Sequence, residues 1–262
     1  MIKALFFDID GTLVSFKTHT IPASTVAALE AAKANGVEIY ISTGRPYALI
    51  NNLGQIEHLI DGYITTNGAY CFIGDNVISC NPIPKDEVMY VLEKSREWFF
   101  PCMVVGEKSL TMYNTASDPQ KVRHVGNLLN VPDIERELPV DDVLTQRILQ
   151  LTPFINEQQE SEILNTLQGI ESGRWCPDFA DFTAKGVSKA KGLREIAAYQ
   201  GFDISETMAF GDGGNDLSII KQSGIGIAMG NANEVLKKAA DYITDNIDDN
   251  GIYNALCRYN II

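Results

Sequence analysis

Apolar runs alternate with helix-compatible stretches over the first 80 residues. Residues 3–7 contain the run Ala4-Leu5-Phe6-Phe7, apolar at every position, as in a strand buried on both faces. Residues 22–35 (PASTVAALEAAKAN) open on proline and polar cap candidates, continue in helix formers and stop at Gly36. Residues 37–42 (VEIYIS) and 63–66 (YITT) carry the β-branched and aromatic residues of strands, and residues 46–60 between them predict a helix. Strands separated by helices imply βαβ units and a parallel sheet.

The pattern loosens at Asn81-Pro82-Ile83-Pro84. Up to about Ala184, helical stretches (85–98, 119–129, 156–167) mix with short strands (101–105, 109–113, 147–152), which predicts a separate α+β unit. Regular alternation then resumes: helix 188–200, strand 207–211, helix 216–222, strand 225–229, helix 233–240, strand 241–244 and helix 252–259. The simplest architecture is one α/β core made from residues 1–80 and 185–262, with residues 81–184 inserted. No internal repeat or low-complexity segment interrupts it.

Charge narrows the partners. The chain has 262 residues, 34 acidic against 21 basic, for a net charge of −13. That balance argues against a nucleic-acid backbone or an anionic membrane as the main partner. A small anion is compatible with it if a local basic group and a metal offset the field. The five cysteines form no Cys-x-x-Cys pair and fit reduced thiols in a cytosol better than a disulfide framework or a zinc site. The opening residues are too short and badly flanked for a signal peptide, and no apolar run approaches the ~20 residues of a membrane span. A cytoplasmic protein is expected; its oligomeric state is open, a monomer being compatible with everything above.

Four polar elements follow predicted strands or open predicted helices, along the edge where open parallel sheets bind ligands. Asp8-Ile9-Asp10-Gly11-Thr12 places two carboxylates two residues apart, so in extended geometry both face one centre. By itself a polar turn explains the stretch equally well. Ser42-Thr43-Gly44-Arg45-Pro46 offers a hydroxyl and free backbone N–H groups suited to phosphate, although capping accounts for Ser or Thr there. Lys189 lies at a helix start, where it can neutralise a phosphate, with Lys185 and Lys191 competing for that role. Gly211-Asp212-Gly213-Gly214-Asn215-Asp216 sets oxygen-bearing side chains among glycines, which suits a hard cation. Two look-alikes fail. Asn246-x-Asp248-x-Asn250-Gly251 starts like a calcium loop but carries Cys257 at the twelfth position, and Gly224-x-Gly226-x-x-x-Gly230 misses the dinucleotide spacing by one residue. His19, His58 and His124 lie in no metal or triad pattern.

Taken together, in this order and spacing, the four elements resemble the motifs of the haloacid dehalogenase superfamily. Asn67-Gly68-Ala69 and Gly230-Asn231-Ala232 point further to its Cof-type phosphatase subfamily, similar to bacterial hexose-phosphate phosphatases. The resemblance covers essentially the whole chain and implies a Rossmann-like, doubly wound parallel sheet core with an inserted α+β cap of the C2 type that selects the substrate. It implies a Mg²⁺-dependent phosphatase for small phosphorylated metabolites, most of all sugar phosphates. Asp8 would be the nucleophile and Asp10 the general acid/base. Mg²⁺ would be bound by Asp8, the Asp10 carbonyl and Asp212, with Asp216 behind them. Thr43, the Gly44 amide, Lys189 and Asn215 would bind the phosphoryl oxygens. Arg45 would face the substrate or form a surface salt bridge. In the cap, the aromatic and polar stretch 173–182 suits a sugar as well as it suits a cap core, so no cap residue is assigned. Two other activities stay open: phosphotransfer to a sugar hydroxyl, and a non-catalytic phospho-acceptor module. The 100-residue insert and the second aspartate speak against the latter.

Overall fold

The computed structural model describes residues 1–128 and 139–262. Along the chain run β1 (Ala4–Phe7), α1 (Ala23–Ala34), β2 (Glu38–Ser42), β3 (Gly62–Thr65), β4 (Tyr70–Ile73) and β5 (Asn76–Cys80). Next come α2 (Lys85–Glu97), β6 (Cys102–Gly106), β7 (Leu110–Tyr113), α3 (Pro119–Leu128), α4 (Val140–Leu144), β8 (Ile148–Pro153), α5 (Glu157–Leu164), β9 (Ile170–Cys176) and β10 (Phe179–Ala184). The chain closes with α6 (Lys189–Gln200), β11 (Thr207–Gly211), α7 (Leu217–Gln222), β12 (Ile225–Ala228), α8 (Glu234–Ala239), β13 (Tyr242–Ile243) and α9 (Gly251–Arg258). These elements form two compact units, one of Met1–Arg45, Ile50–Ser79 and Ser188–Ile262, the other of Pro46–Leu49 and Cys80–Val187.

The first unit holds an eight-stranded sheet in the order β13-β12-β11-β1-β2-β3-β4-β5. From β13 to β3 every pairing is parallel, and β4 turns antiparallel against β3. α1 packs on α9, while α6, α7 and α8 form a second row, so helices serve both faces. The apolar run of β1 is buried at all four positions. Phe6 stacks on Tyr40 at 4.9 Å and Phe7 on Phe210 at 4.7 Å, with the two pairs set by adjacent residues of one strand. A strand buried on both faces must be apolar throughout, which is why Ala4-Leu5-Phe6-Phe7 shows no alternation. The sheet order reverses at β1, with β2 on one side and β11 on the other. The crevice of a doubly wound sheet lies at such a reversal, beyond the carboxyl ends of the strands.

The second unit is a five-stranded sheet, β7-β6-β8-β10-β9, antiparallel at each of its pairings. Met103, Val105, Met112, Val122, Val125, Phe154 and Phe179 form an apolar cluster within it.

The α/β class and parallel core agree with the sequence. The helix expected over residues 46–60 does not form; the segment has only two 3₁₀ turns, Tyr47–Leu49 and Glu57–Leu59. Asn51, Asn52 and Gly54 stand at its centre, and Asn and Gly are poor helix formers that favour turns. Five elements were not anticipated: strands β4 and β5 of one hairpin, short helix α4, and strands β9 and β10. Gly74, in the left-handed region at φ 54°, makes the hairpin turn. The helix expected over 119–129 runs to Leu128, and Leu129 lies outside the described residues.

Phe210→Ala should empty the Phe7 stack and destabilise the first unit by about 3–5 kcal/mol, as buried Phe truncations do. Val235→Ala, at an exposed position, should change stability by under ~0.5 kcal/mol. Calorimetric unfolding of both variants checks this; equal shifts would contradict the stack's place in the core.

Candidate active site

β1 ends at Phe7, and the ladder continues one step further as the Asp8 amide donates to the Phe210 carbonyl at 3.1 Å. Asp8 therefore stands at the carboxyl edge of the sheet, at the strand-order reversal, and is 7% exposed. Ile9 is buried and its carbonyl accepts from the amides of Leu13 and Val14, closing a tight turn. Gly11 in that turn has φ 86°, and a Cβ there would collide with the Asp212 carboxylate and the Phe16 ring. Only glycine allows both that backbone and so close an approach.

Lys189 opens α6 behind its N-cap Ser188, whose side chain accepts from the Lys191 amide. Its ammonium is fully buried and donates to Asp8 Oδ1 at 2.6 Å and Asp216 Oδ1 at 2.5 Å. Lys185 is exposed and Lys191 lies 3.9 Å from Glu195; of the three candidate lysines it is Lys189 that is seen bonded to Asp8. Asp216 is likewise occupied on both oxygens, Oδ2 accepting from the amides of Asp212 at 3.0 Å and Gly213 at 2.9 Å. Asp212 accepts from the Thr12 hydroxyl at 3.2 Å.

Carboxylate oxygens of Asp8, Asp212 and Asp216 all lie within 4.8 Å of one another. Burial pushes the Asp8 carboxyl well above the usual carboxylate range; Lys189 pulls it back, and Asp216, Asp212 and Asp10 add to the rise. Burial, then the Asp216 charge, pushes Asp212 up to about 7. Burial works against the Lys189 ammonium, but Asp216 and Asp8 outweigh it and keep the group charged, above the ordinary lysine value. Three acids around one ammonium leave an excess of buried negative charge, the environment in which a hard divalent cation is favoured. The donor set fits such a cation. Asp216 is spent on Lys189 and two amides, which leaves Asp8 and Asp212 as the carboxylates able to hold it.

Asp10 is handled differently. It is one-third exposed and paired in a two-pronged contact with Arg45, Nε to Oδ2 at 2.6 Å and Nη2 to Oδ1 at 2.8 Å. Arg45, read from the sequence as a substrate group or a surface ion pair, is here the guanidinium that holds Asp10. Thr43 is buried at the end of β2, its hydroxyl oxygen accepting from the Arg45 amide at 3.0 Å, which leaves its O–H to donate. Gly44 lies beside Asn67 and Asn215; a Cβ on it would stand 3.1 Å from Asn67 Oδ1 and 3.4 Å from Asn215 Nδ2. Asn215 donates to Asn67 Oδ1 at 3.2 Å.

The first unit thus brings Asp8, Lys189, Asp212 and Asp216 together, sets Asp10 with Arg45, and gathers Gly44 with Asn215. Sequence reasoning assigned no task to Thr12, Asn67 or Asn231, though all three lay in motifs already noted. The signal of the two asparagines was available: an asparagine beside a glycine just after a strand is a common way to tie loops together.

A divalent cation competes with protons on Asp8 and Asp212, both raised by burial, so its apparent affinity should rise as pH passes through about 7, where Asp212 titrates. The sign follows from the raised value: below it the protonated carboxyl resists the cation, above it the carboxylate accepts it. Mg²⁺-induced thermal shifts measured from pH 5.5 to 8.5 should grow; a shift independent of pH would contradict the assignment.

The haloacid dehalogenase-like hydrolase family matches residues 5–256. YkrA of Bacillus subtilis (strain 168) is 32% identical over 259 residues, 97% of this chain and 96% of that protein. The 5-amino-6-(5-phospho-D-ribitylamino)uracil phosphatase YcsE of the same organism is 28% identical over 258 residues, 97% of this chain and 94% of that one. Among solved structures, the subclass IIB sugar phosphatase BT4131 superposes with a TM-score of 0.88 at 46% identity, covering 99% of this chain and 100% of that one. Among the described residues no helix is long and apolar enough to cross a membrane. Matched over nearly its full length, with phosphatases among its relatives, this chain belongs to the haloacid dehalogenase-like hydrolases.

Proposed function

We propose that this protein is a Mg²⁺-dependent cytoplasmic phosphatase of small phosphorylated metabolites, sugar phosphates foremost, working through an aspartyl-phosphate. The observation that carries the reading is the different setting of the two aspartates. Asp8 is buried against an ammonium and two further acids, while Asp10 stands more exposed on a guanidinium. One is placed to be shielded and attack, the other to exchange protons.

In the proposed reaction an Asp8 carboxylate oxygen attacks phosphorus in line, and the bond from phosphorus to the leaving oxygen breaks. Asp10 gives its proton to the departing alkoxide. Asp10, now a carboxylate, takes a proton from water, and the resulting hydroxide displaces Asp8 from phosphorus to release inorganic phosphate. Lys189, the Thr43 hydroxyl, the Gly44 amide and the Asn215 amide donate to the phosphoryl oxygens as charge builds there. Arg45 orients Asp10 between its two proton transfers. When bound by Asp8, the Asp10 carbonyl and Asp212, Mg²⁺ supplies charge neutralisation between nucleophile and phosphate. Asp216 holds Lys189 and the Asp212 loop in place.

Residues 1–80 and 185–262 would carry this chemistry and residues 81–184 would select the leaving group. The choice of sugar phosphates rests on the 46% identity to a sugar phosphatase, against 28% to YcsE, a phosphatase of a phosphoribitylamino compound. Both leaving groups are polyhydroxylated. Of the 173–182 stretch, the Trp175 side chain lies outside the described residues, while Arg174 is committed to Glu160 and three backbone carbonyls.

Asp8→Asn should abolish phosphate release from every substrate, a loss of at least ~10⁴-fold with folding retained. Asp10→Ala should lower kcat by roughly 10²–10⁴-fold, the usual reach of general acid/base catalysis. A phosphate-release screen over sugar phosphates, nucleotides and pyridoxal phosphate, in Mg²⁺ and in EDTA, tests the whole reading. Wild-type turnover by Asp8→Asn, or full activity in EDTA, would sink it.

A further inference from the structure

Gly230-Asn231-Ala232 follows β12 one residue on, after Met229, and no step of the proposed reaction uses it. Its surroundings give it a task. Asn231 Nδ2 donates to the Gly11 carbonyl at 2.8 Å, and its Oδ1 accepts from the Ile247 amide at 3.0 Å. One side chain therefore spans two backbone segments, the turn that follows Asp10 and the loop that follows β13. Each contact needs a different half of the amide: an N–H donor on one side, a carbonyl acceptor on the other. Aspartate offers only acceptors and alanine neither.

The neighbouring backbone faces the other acid. The Met229 amide donates to the Gly211 carbonyl at 3.0 Å and the Asn233 amide to the Asp212 carbonyl at 3.1 Å. The segment from Met229 to Asn233 is thus bonded to the chain on both sides of the site, to Gly11 in the turn and to Gly211 and Asp212 opposite. It is itself fixed from behind, as the Gly230 amide donates to the Asp245 carbonyl at 3.0 Å. Gly230 permits this approach, since a Cβ would stand 2.6 Å from the Asn246 nitrogen. Across the gap the Thr12–Asp212 contact, at 3.2 Å, joins turn and loop side chain to side chain.

We infer that Asn231 is a positioning residue that sets the turn after Asp10 against Asp212, so that a divalent cation meets ligands already at the right separation. The physical reason is charge. Asp8, Asp10 and Asp212 repel one another before the cation arrives, and a turn free to swing would relax away from Asp212. A neutral amide bonded to the Gly11 carbonyl resists that movement and adds no charge. Partners of this kind, which orient ligands without touching the metal, typically govern metal affinity or activity by 10–100-fold.

The inference rests on the proposed metal site, and its test is read without turnover. Mg²⁺ binding to the wild-type protein, Asn231→Asp and Asn231→Gln is measured by calorimetric titration, beside the metal-free melting temperature and the kcat and KM for phosphate release. Asn231→Asp keeps the acceptor for Ile247 and loses the donor to Gly11; Asn231→Gln keeps both functions on a longer arm. Asn231→Asp should weaken Mg²⁺ about tenfold. Its metal-free melting temperature should stay within ~4 °C of wild type, KM should be unchanged, and kcat should recover at saturating Mg²⁺. Asn231→Gln should recover part of the affinity. Unchanged Mg²⁺ affinity in Asn231→Asp overturns the inference, as does a loss of folding in both variants, which would make the residue structural. Wild-type protein that binds Mg²⁺ yet releases phosphate from nothing would remove the phosphatase reading and leave Asn231 judged on the titration alone. Wild-type protein that does not bind Mg²⁺ removes both.

Discussion

One buried ammonium organises the site. Lys189 is wholly enclosed and bonded to both Asp8 and Asp216, which are 208 residues apart in the chain. An ammonium out of water is tolerable only with carboxylate partners, and removing one member of such a group costs about 3–5 kcal/mol. The same bonds make the two acids partly tolerable to each other. The charge left over, with Asp212 close by, makes this polar corner of the sheet edge the proposed place for a cation and a phosphate. A second and separate pair, Arg45 with Asp10, keeps the other aspartate out of that cluster. Two cations therefore sort two neighbouring aspartates into two environments.

The scaffold makes this arrangement possible by its stiffness. β1 is buried on both faces and held between β2 and β11 in parallel register, so Asp8 has little freedom at its end. The acids of the β11 loop are ordered by backbone rather than by packing, with Asp216 bonded to the amides of Asp212 and Gly213. The left-handed Gly11 lets the two loops approach until the Asp212 carboxylate lies against its backbone, and the acid oxygens of Asp8, Asp212 and Asp216 come within 4.8 Å of one another. Repulsion at that distance has to be held by hydrogen bonds from outside the cluster. Thr12 and Asn231 supply them at the β1 turn, and Asn233 at the loop that follows β11.

How much of this was legible in the amino-acid sequence depended on whether the signal was local. Strand β11 was read to the residue, because Thr207 to Gly211 is a compact apolar run ending at a glycine turn. The helix over residues 46–60 was misread because Pro46 and scattered apolar residues imitate a helix start, while Asn51, Asn52 and Gly54 outweigh them. Strands β9 and β10 were missed since Gly173, Arg174, Pro177 and Asp181 break any alternation, and the strands exist through pairing with each other and with β8. Asp181 is buried there as an acceptor for Gln150 and Thr152, a satisfaction no local pattern announces.

The sequence by itself determined the chemistry on offer: two aspartates at a strand end, a hydroxyl, a lysine and an acidic glycine loop, in an order matching one family over residues 5–256. Composition and spacing suffice for this because such groups must follow strands to reach a sheet edge. Only the tertiary structure decided who partners whom. It bonded Lys189 to Asp8, spent Asp216 on holding that lysine, gave Arg45 to Asp10, and turned Asn231 toward Gly11. Those choices depend on distances between segments up to 220 residues apart, and on burial that raises the stakes of every unpaired charge. Neither quantity exists until the sheet has formed.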